Sequence, residues 1–147
     1  MSNSIIKGRE REAGFTLVEL MVVIVILGLL ATIVIINVLP SQDRAMTQKA
    51  KADIALLEQG VEMYRLNNLA YPGAADGLQA LVTPPAALAD PSRYQVGGYI
   101  KKLPNDPWGR PYLYANPGTH GAFDIYTLGA DGAPGGTGVN ADIGNWQ

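Results

Sequence analysis

The sequence predicts an α+β protein in which one very long N-terminal helix lies against a small antiparallel sheet. Three observations predict it. An uninterrupted apolar run covers residues 15–36, a helix-forming amphipathic stretch at 43–68 continues it, and two short β-rich runs precede a glycine-rich end.

In the apolar run the only strongly polar side chain is Glu19, and at 1.5 Å per helical residue the run reaches roughly 33 Å, enough to cross a bilayer core. A lone carboxylate at that depth is costly and calls for a positive partner. No Lys, Arg or His lies between Phe15 and Asn37. Two readings follow. Glu19 sits in the headgroup region of a simple signal anchor, or the chain is cut between Gly14 and Phe15 and the new α-amine of one subunit pairs with Glu19 of a neighbour. The preceding residues carry Lys7, Arg9 and Arg11 against Glu10 and Glu12, which favours a cytoplasmic leader and places everything after the helix on the far side of the membrane. A secretory signal would be cut after its apolar region, whereas a cut at Gly14 retains it.

The string Gly14-Phe15-Thr16-Leu17-Val18-Glu19, at the head of an apolar run, resembles the class III signal of type IV pilins and pseudopilins. The resemblance implies that a prepilin peptidase cuts after Gly14 and methylates the Phe15 amine, and that Glu19 serves recruitment and register in filament assembly. It also implies three parts: a leader at 1–14, a membrane-spanning and filament-core helix at 15–39, and a periplasmic domain at 40–147.

The chain has 147 residues, room for one modest domain beside the anchor. It has no cysteine, so the disulfide that closes many type IV pilins is excluded and something else must fix its end. The net charge is −2, and the longest basic cluster is Lys101-Lys102, read as a solvated turn; nucleic acid is not expected as a partner.

Residues 43–68 are rich in Ala, Gln, Lys, Glu and Leu. Ile54, Leu57, Val61 and Tyr64 recur at spacings of three and four and form one apolar face, with Leu56 and Met63 beside it. That face is expected on a core; Asp53, Glu58, Glu62 and Arg65 are expected in solvent. A single helix from 15 to 68 would be about 80 Å long at 1.5 Å per residue. Gly28 and Pro40 are its weak points, with a kink or melted segment expected at Pro40. Related pilins place their proline one turn earlier, where this chain has Ile36.

After the turn Tyr71-Pro72-Gly73, Asp76 is expected to cap a short helix at about 80–87, limited by Pro84-Pro85. Residues 94–102 read as a short strand or a loop. Tyr112-Leu113-Tyr114-Ala115 and Phe123-Asp124-Ile125-Tyr126-Thr127 read as antiparallel strands joined by Pro117-Gly118-Thr119-His120-Gly121. Before them, Leu103-Pro104-Asn105-Asp106-Pro107-Trp108-Gly109-Arg110-Pro111-Tyr112 reads as a rigid loop whose Trp108 fills a core edge. This run resembles the corresponding loop of the major-pseudopilin family of type II secretion systems.

Residues 128–146 form a long glycine-rich loop bearing oxygen ligands, Leu128-Gly129-Ala130-Asp131-Gly132-Ala133 and then Asn140-Ala141-Asp142-Ile143-Gly144-Asn145-Trp146. Calcium offers a way to order such a loop, since it takes six to eight oxygens, carbonyls included. The EF-hand pattern fails at Ala133, and no Gly-Lys-Ser/Thr follows Gly135-Gly136. On pattern alone a plain turn at Asp131-Gly132 and a surface charge at Asp142 come first. Resemblance to the calcium-binding end of the major pseudopilin reverses that order. It implies Asp131 and Asp142 as carboxylate ligands and the carbonyls of Leu128 and Ala133 as backbone ligands. Asn140 stands at a position often acidic in relatives, and Thr137 is a further candidate ligand.

No enzyme is expected. His120 is the only histidine and lies in a hairpin turn; there is no Gly-x-Ser-x-Gly, no His-Glu-x-x-His and no cysteine nucleophile. Carboxylate pairs for glycoside hydrolysis could be drawn from Asp106, Asp124, Asp131 or Asp142, two of which metal binding explains better. Together the resemblances imply a type IV pilin-like subunit of the bacterial inner membrane with a calcium-stabilised C-terminal loop. It would polymerise with its own copies into a periplasmic filament that helps drive folded exoproteins through an outer-membrane secretin. Its implied partners are minor pseudopilins, the inner-membrane assembly platform, prepilin peptidase and the membrane. Two alternatives stay open: a fibre-forming pilin or DNA-uptake pseudopilin, and a membrane-anchored calcium-binding module that never polymerises.

Overall fold

The computed structural model describes residues 13–147; the expected leader cations Lys7, Arg9 and Arg11 lie outside the described residues. One helix, α1, runs Leu17–Asn68 and passes through Pro40 without a melted segment. The chain divides into two compact units, one ending at Pro40 and one spanning Ser41–Gln147.

In the first unit the large apolar side chains are all solvent-facing, from 43% exposed at Val38 to 83% at Phe15. Its two polar side chains in mid-helix are satisfied locally. Thr32 Oγ1 donates to the Gly28 carbonyl at 2.8 Å, and Asn37 Nδ2 donates to the Ile33 carbonyl at 2.9 Å. Back-bonding of this kind hides the polar atoms from an apolar surrounding. Length and composition suit this part of α1 to crossing a bilayer.

In the second unit Ala50, Ile54, Leu57, Val61 and Tyr64 of α1 are buried, as their spacing requires, against Leu78, Leu81, Tyr112, Phe123, Ile125 and Ile143. Leu56 and Met63 stay half exposed on the flank. Asp53, Glu58 and Glu62 correct the sequence reading: all three are half-buried, and tyrosines from other elements reach Asp53 and Glu62. Tyr112 donates to Asp53 Oδ2 at 2.8 Å and Tyr71 to Glu62 Oε1 at 3.1 Å. Arg65 is exposed as expected.

The expected helix at 80–87 is a 3-10 turn at Gly77–Leu81, and Asp76 makes no side-chain cap. Instead the Gly77 N–H bonds the Gly73 carbonyl at 2.9 Å. With Pro84-Pro85 close behind, too few residues remain for a cooperative α-helix. Residues 94–102 contain no strand; Tyr94 and Tyr99 pack edge-on against Tyr64 with centroids 6.3 and 5.5 Å away.

Strand β1, Leu113–Ala115, pairs antiparallel with β2, Asp124–Thr127, in the register Leu113 to Tyr126 and Ala115 to Asp124. A third strand, β3 at Ile143–Gly144, pairs antiparallel with β2 inside the segment read as loop. Two residues are too short to leave a periodic signal. Asn145 lengthens the pairing with its side chain: Oδ1 accepts from Ile125 N–H at 3.1 Å and Nδ2 donates to the Phe123 carbonyl at 3.3 Å. The central strand β2 thus holds the end of the chain.

Candidate functional site

Two groups of residues carry the sequence expectations, one in each unit. At the head of α1, Thr16 and Glu19 cap each other. The Thr16 N–H donates to Glu19 Oε2 at 3.1 Å, and the Glu19 N–H donates to Thr16 Oγ1 at 3.2 Å. This reciprocal arrangement satisfies two donors that a helix start leaves open, and it puts a carboxylate at the positive end of the helix dipole. Glu19 therefore has a local partner that is not a cation. The spacing Thr-x-x-Glu before an apolar run was its signal. Gly14 and Phe15 precede the helix and are exposed, Phe15 by 83%.

The second group is the C-terminal loop, which folds back on itself in a tight coil. Ala130 N–H donates to the Val139 carbonyl at 3.0 Å, Ala133 N–H to Asp131 Oδ1 at 3.1 Å, and Gly135 N–H to Asp142 Oδ2 at 3.1 Å. A 3-10 turn, Gly138–Asn140, carries the chain across. Gly129 is held at φ +75°, and a Cβ there would come within 2.7 Å of the Ala141 carbonyl oxygen, so the crossing of the two halves requires glycine.

All six expected ligands belong to this coil. Leu128 is half-buried; Asp131, Ala133, Thr137 and Asn140 are exposed; Asp142 is half-buried. The Thr137 carbonyl already accepts the Asn140 N–H at 3.1 Å, and its hydroxyl caps nothing. Neither Asp131 nor Asp142 makes an ion pair, and no three His, Cys, Asp or Glu converge, among the described residues. A cation here would rest on two carboxylates with carbonyl and amide oxygens. One atom calls for such a cation: Asp142 Oδ1 is buried without a hydrogen-bond partner among the described residues. A carboxylate oxygen withdrawn from water and left without a donor is costly, and a hard cation that takes oxygen ligands removes the cost. The residues present fit calcium.

Two carboxylates that sequence reading left without a role organise the surroundings. Asp106 is buried: Oδ1 accepts from the N–H groups of Trp108 and Arg110 at 3.1 and 2.8 Å, and Oδ2 accepts from Thr127 Oγ1 at 2.6 Å. It thereby shapes the Pro-Trp-Gly loop, puts the half-buried Trp108 against the core, and ties the loop to the end of β2. An Asp before Pro-x-Gly is an Asx-turn signal that could have disclosed this. Asp124 is also buried, and it accepts from Thr119 N–H at 2.8 Å and His120 N–H at 3.2 Å, with His120 Nδ1 at 3.0 Å. Burial pushes its carboxyl up, but the His120 side chain and the two backbone donors outweigh it and hold the group below its usual range. His120 remains half exposed and stacks on Trp146 at 3.8 Å, so the lone histidine fastens a turn to the chain end.

A helix with a capped acidic start and an exposed apolar first half, followed by a small sheet that holds a coiled C-terminal loop, defines the pilin-like class. The prokaryotic N-terminal methylation motif matches residues 9–35. The family described as type II secretion system (T2SS), protein G matches residues 37–146. The chain is 52% identical over 141 residues to the type II secretion system core protein G of Vibrio cholerae, covering 96% of each. To its namesake from Pseudomonas aeruginosa it is 51% identical over 139 residues, covering 95% of this chain and 98% of the relative. The crystal structure of the major pseudopilin from the type 2 secretion system of enterohaemorrhagic Escherichia coli superposes with a TM-score of 0.64 at 43% identity, over 75% of this chain and 94% of that one. The chain belongs to the type II secretion system protein G family, the major pseudopilins.

Proposed function

We propose that this pseudopilin is inserted in the inner membrane by α1, with its N-terminus cytoplasmic and the unit from Ser41 periplasmic, and polymerises there into a helical filament. The observation that carries this reading is the uncovered apolar surface of α1 from Leu17 to Leu39. Such a surface is stable only in lipid or against copies of itself. Prepilin peptidase cleaves after Gly14 and methylates the Phe15 amine, and that amine approaches Glu19 of the neighbouring copy. Glu19 then trades its bond to the Thr16 N–H for a charged partner. The filament works as a structural element and not as an enzyme, together with minor pseudopilins and the inner-membrane assembly platform.

Calcium belongs to the same reading. It supplies a compact double charge and several oxygen-ligand bonds, in the role that disulfides fill in other pilins. Asp142 would give it the unpaired Oδ1, and Asp131, the carbonyls of Leu128 and Ala133, Asn140 and Thr137 are the remaining candidates on the coil.

The test is the intact mass and N-terminal sequence of the protein from native membranes, with and without prepilin peptidase. A peptidase-dependent chain beginning at N-methylated Phe15 is expected. A chain that keeps residues 1–14 in both strains, and that crosslinks to no second copy, would leave a simple anchored module.

A further inference from the structure

The first turn of the C-terminal loop is held by a residue that lies outside it. Arg110 closes the Asp-Pro-Trp-Gly loop, and its backbone is fixed on both sides by Asp106: its N–H donates to Asp106 Oδ1 at 2.8 Å, and its carbonyl accepts the Asp106 N–H at 2.7 Å. From that fixed point the guanidinium reaches the loop. Arg110 Nη2 donates to the Gly129 carbonyl, and a Cβ on Gly132 would come within 3.0 Å of Arg110 Cζ and Nη1. The plane of the guanidinium thus lies along the turn that carries Asp131. A ring of bonds closes the arrangement, because Asp106 Oδ2 accepts from Thr127 Oγ1 at 2.6 Å and that hydroxyl accepts the Gly129 N–H at 3.4 Å. Both backbone polar groups of Gly129 are therefore held from elements outside the loop.

We propose that Arg110 is the positioning residue of the C-terminal loop. Its guanidinium holds the turn from Leu128 to Gly132 in place before any metal arrives, so that Asp131 and the Leu128 carbonyl need little ordering when an ion binds. The metal half of this inference rests on the calcium reading above. Arginine suits the task because its planar fork stays charged and lies flat against glycine, where a lysine would offer a point charge on a flexible stem. Groups behind the ligands commonly govern metal affinity through orientation. A purely electrostatic role has the opposite sign: a cation beside the site repels calcium, and its removal would tighten binding.

The experiment uses the full chain in detergent micelles, as wild type, R110Q and R110K, with V61A as a variant that weakens only the core. Calcium binding is followed by calorimetry, and backbone amide exchange is followed without metal. In R110Q and R110K we expect calcium affinity lowered by about tenfold or more. We also expect faster exchange at Ala130, Ala133 and Gly135, with Ile125 and Tyr126 of β2 unchanged. V61A should unfold earlier and bind calcium as wild type does. R110K, which keeps the charge, guards against an unfolded R110Q. Unchanged loop exchange in R110K, or tighter calcium binding, overturns the proposal. If wild type binds no calcium, the calcium reading fails, and loop exchange alone decides whether Arg110 positions the turn.

Discussion

The Tyr112 hydroxyl donates a 2.8 Å hydrogen bond to Asp53 Oδ2, joining the residue before β1 to α1 across 59 positions of sequence. Lys49 Nζ lies 2.6 Å from the same oxygen. The carboxylate is thus held between a half-exposed cation and a buried phenol, and it fixes where the sheet meets the helix.

Tyr112→Phe removes the donor and leaves Asp53 with Lys49, so a loss of about 1 kcal/mol is expected in denaturant unfolding of the full chain. The pH dependence follows from the same contact. Burial first, then the hydrogen bond to Asp53 and its charge, push the Tyr112 phenol far above its usual value, and burial pushes Tyr114 up to about 12. In the unfolded chain both ionise near pH 10, so their contribution is fully present below about pH 10 and is lost as pH rises beyond it. Denaturation midpoints at about pH 8 and pH 11 should therefore differ, and Tyr112→Phe should flatten the difference.

Thr127→Val keeps the shape of a buried side chain and deletes the hydroxyl that donates to Asp106. A loss of about 2 kcal/mol is expected, because a buried carboxylate oxygen loses its shortest donor. Fluorescence of Trp108, whose N–H bonds the other oxygen of Asp106, should report the loosening before global unfolding. Wild-type midpoints in both signals would show that Asp106 needs no help from β2.

Glu19→Ala and Thr16→Ala each remove one half of the helix cap, at a cost of about 1 kcal/mol to the first turn. They should differ in assembly. Both proteins should stay membrane-bound, while filament yield on overexpression with the secretion apparatus should fall sharply only for Glu19→Ala, which also loses the charge. Equal yields would mean that the cap, and not the carboxylate's charge, serves assembly.

Asp142→Asn keeps an oxygen but discards the charge that an ion would meet. In wild type, calcium at about a hundred times its dissociation constant should add about 2.7 kcal/mol. The gain should vanish with chelator and should be largely absent from Asp142→Asn. A thermal scan with and without calcium checks this, and an equal rise in both proteins would remove Asp142 from the ligand set.

Much of this architecture was legible in the residues. The three-and-four spacing of Ile54, Leu57, Val61 and Tyr64 can be satisfied by only one helical face, and that face is buried. The β1 and β2 pairing was legible because turn formers separate two short aromatic-rich runs, the second also β-branched at Ile125 and Thr127. What escaped depends on tertiary partners. Asp53 looked exposed because nothing local reveals that Tyr112 arrives there, and β3 is two residues stabilised by an asparagine side chain. The capping box at Thr16 and Glu19 and the Asx turn at Asp106 are written in the local sequence, as Thr-x-x-Glu and Asp-Pro-x-Gly. At the candidate metal loop the sequence supplied the residue types, but only folding exposes the orphaned Asp142 oxygen and the Arg110 fork beneath Gly129.

The self-bonded Thr32 and Asn37 side chains bear on how α1 changes surroundings. Between Leu20 and Leu39 their donors are spent on carbonyls of the same helix, and no bond has to be exchanged when lipid tails give way to another helix. The middle of the segment is therefore indifferent to which apolar medium surrounds it. The decision to leave one for the other falls to its ends: the Thr16 and Glu19 pair on one side, and on the other the Ile36 carbonyl, whose fourth neighbour is a proline with no hydrogen to give. A subunit built this way can exchange one apolar surrounding for another without re-solvating its core span, and the polar groups left to respond, the Thr16 and Glu19 cap and the Ile36 carbonyl, lie about a bilayer's thickness apart.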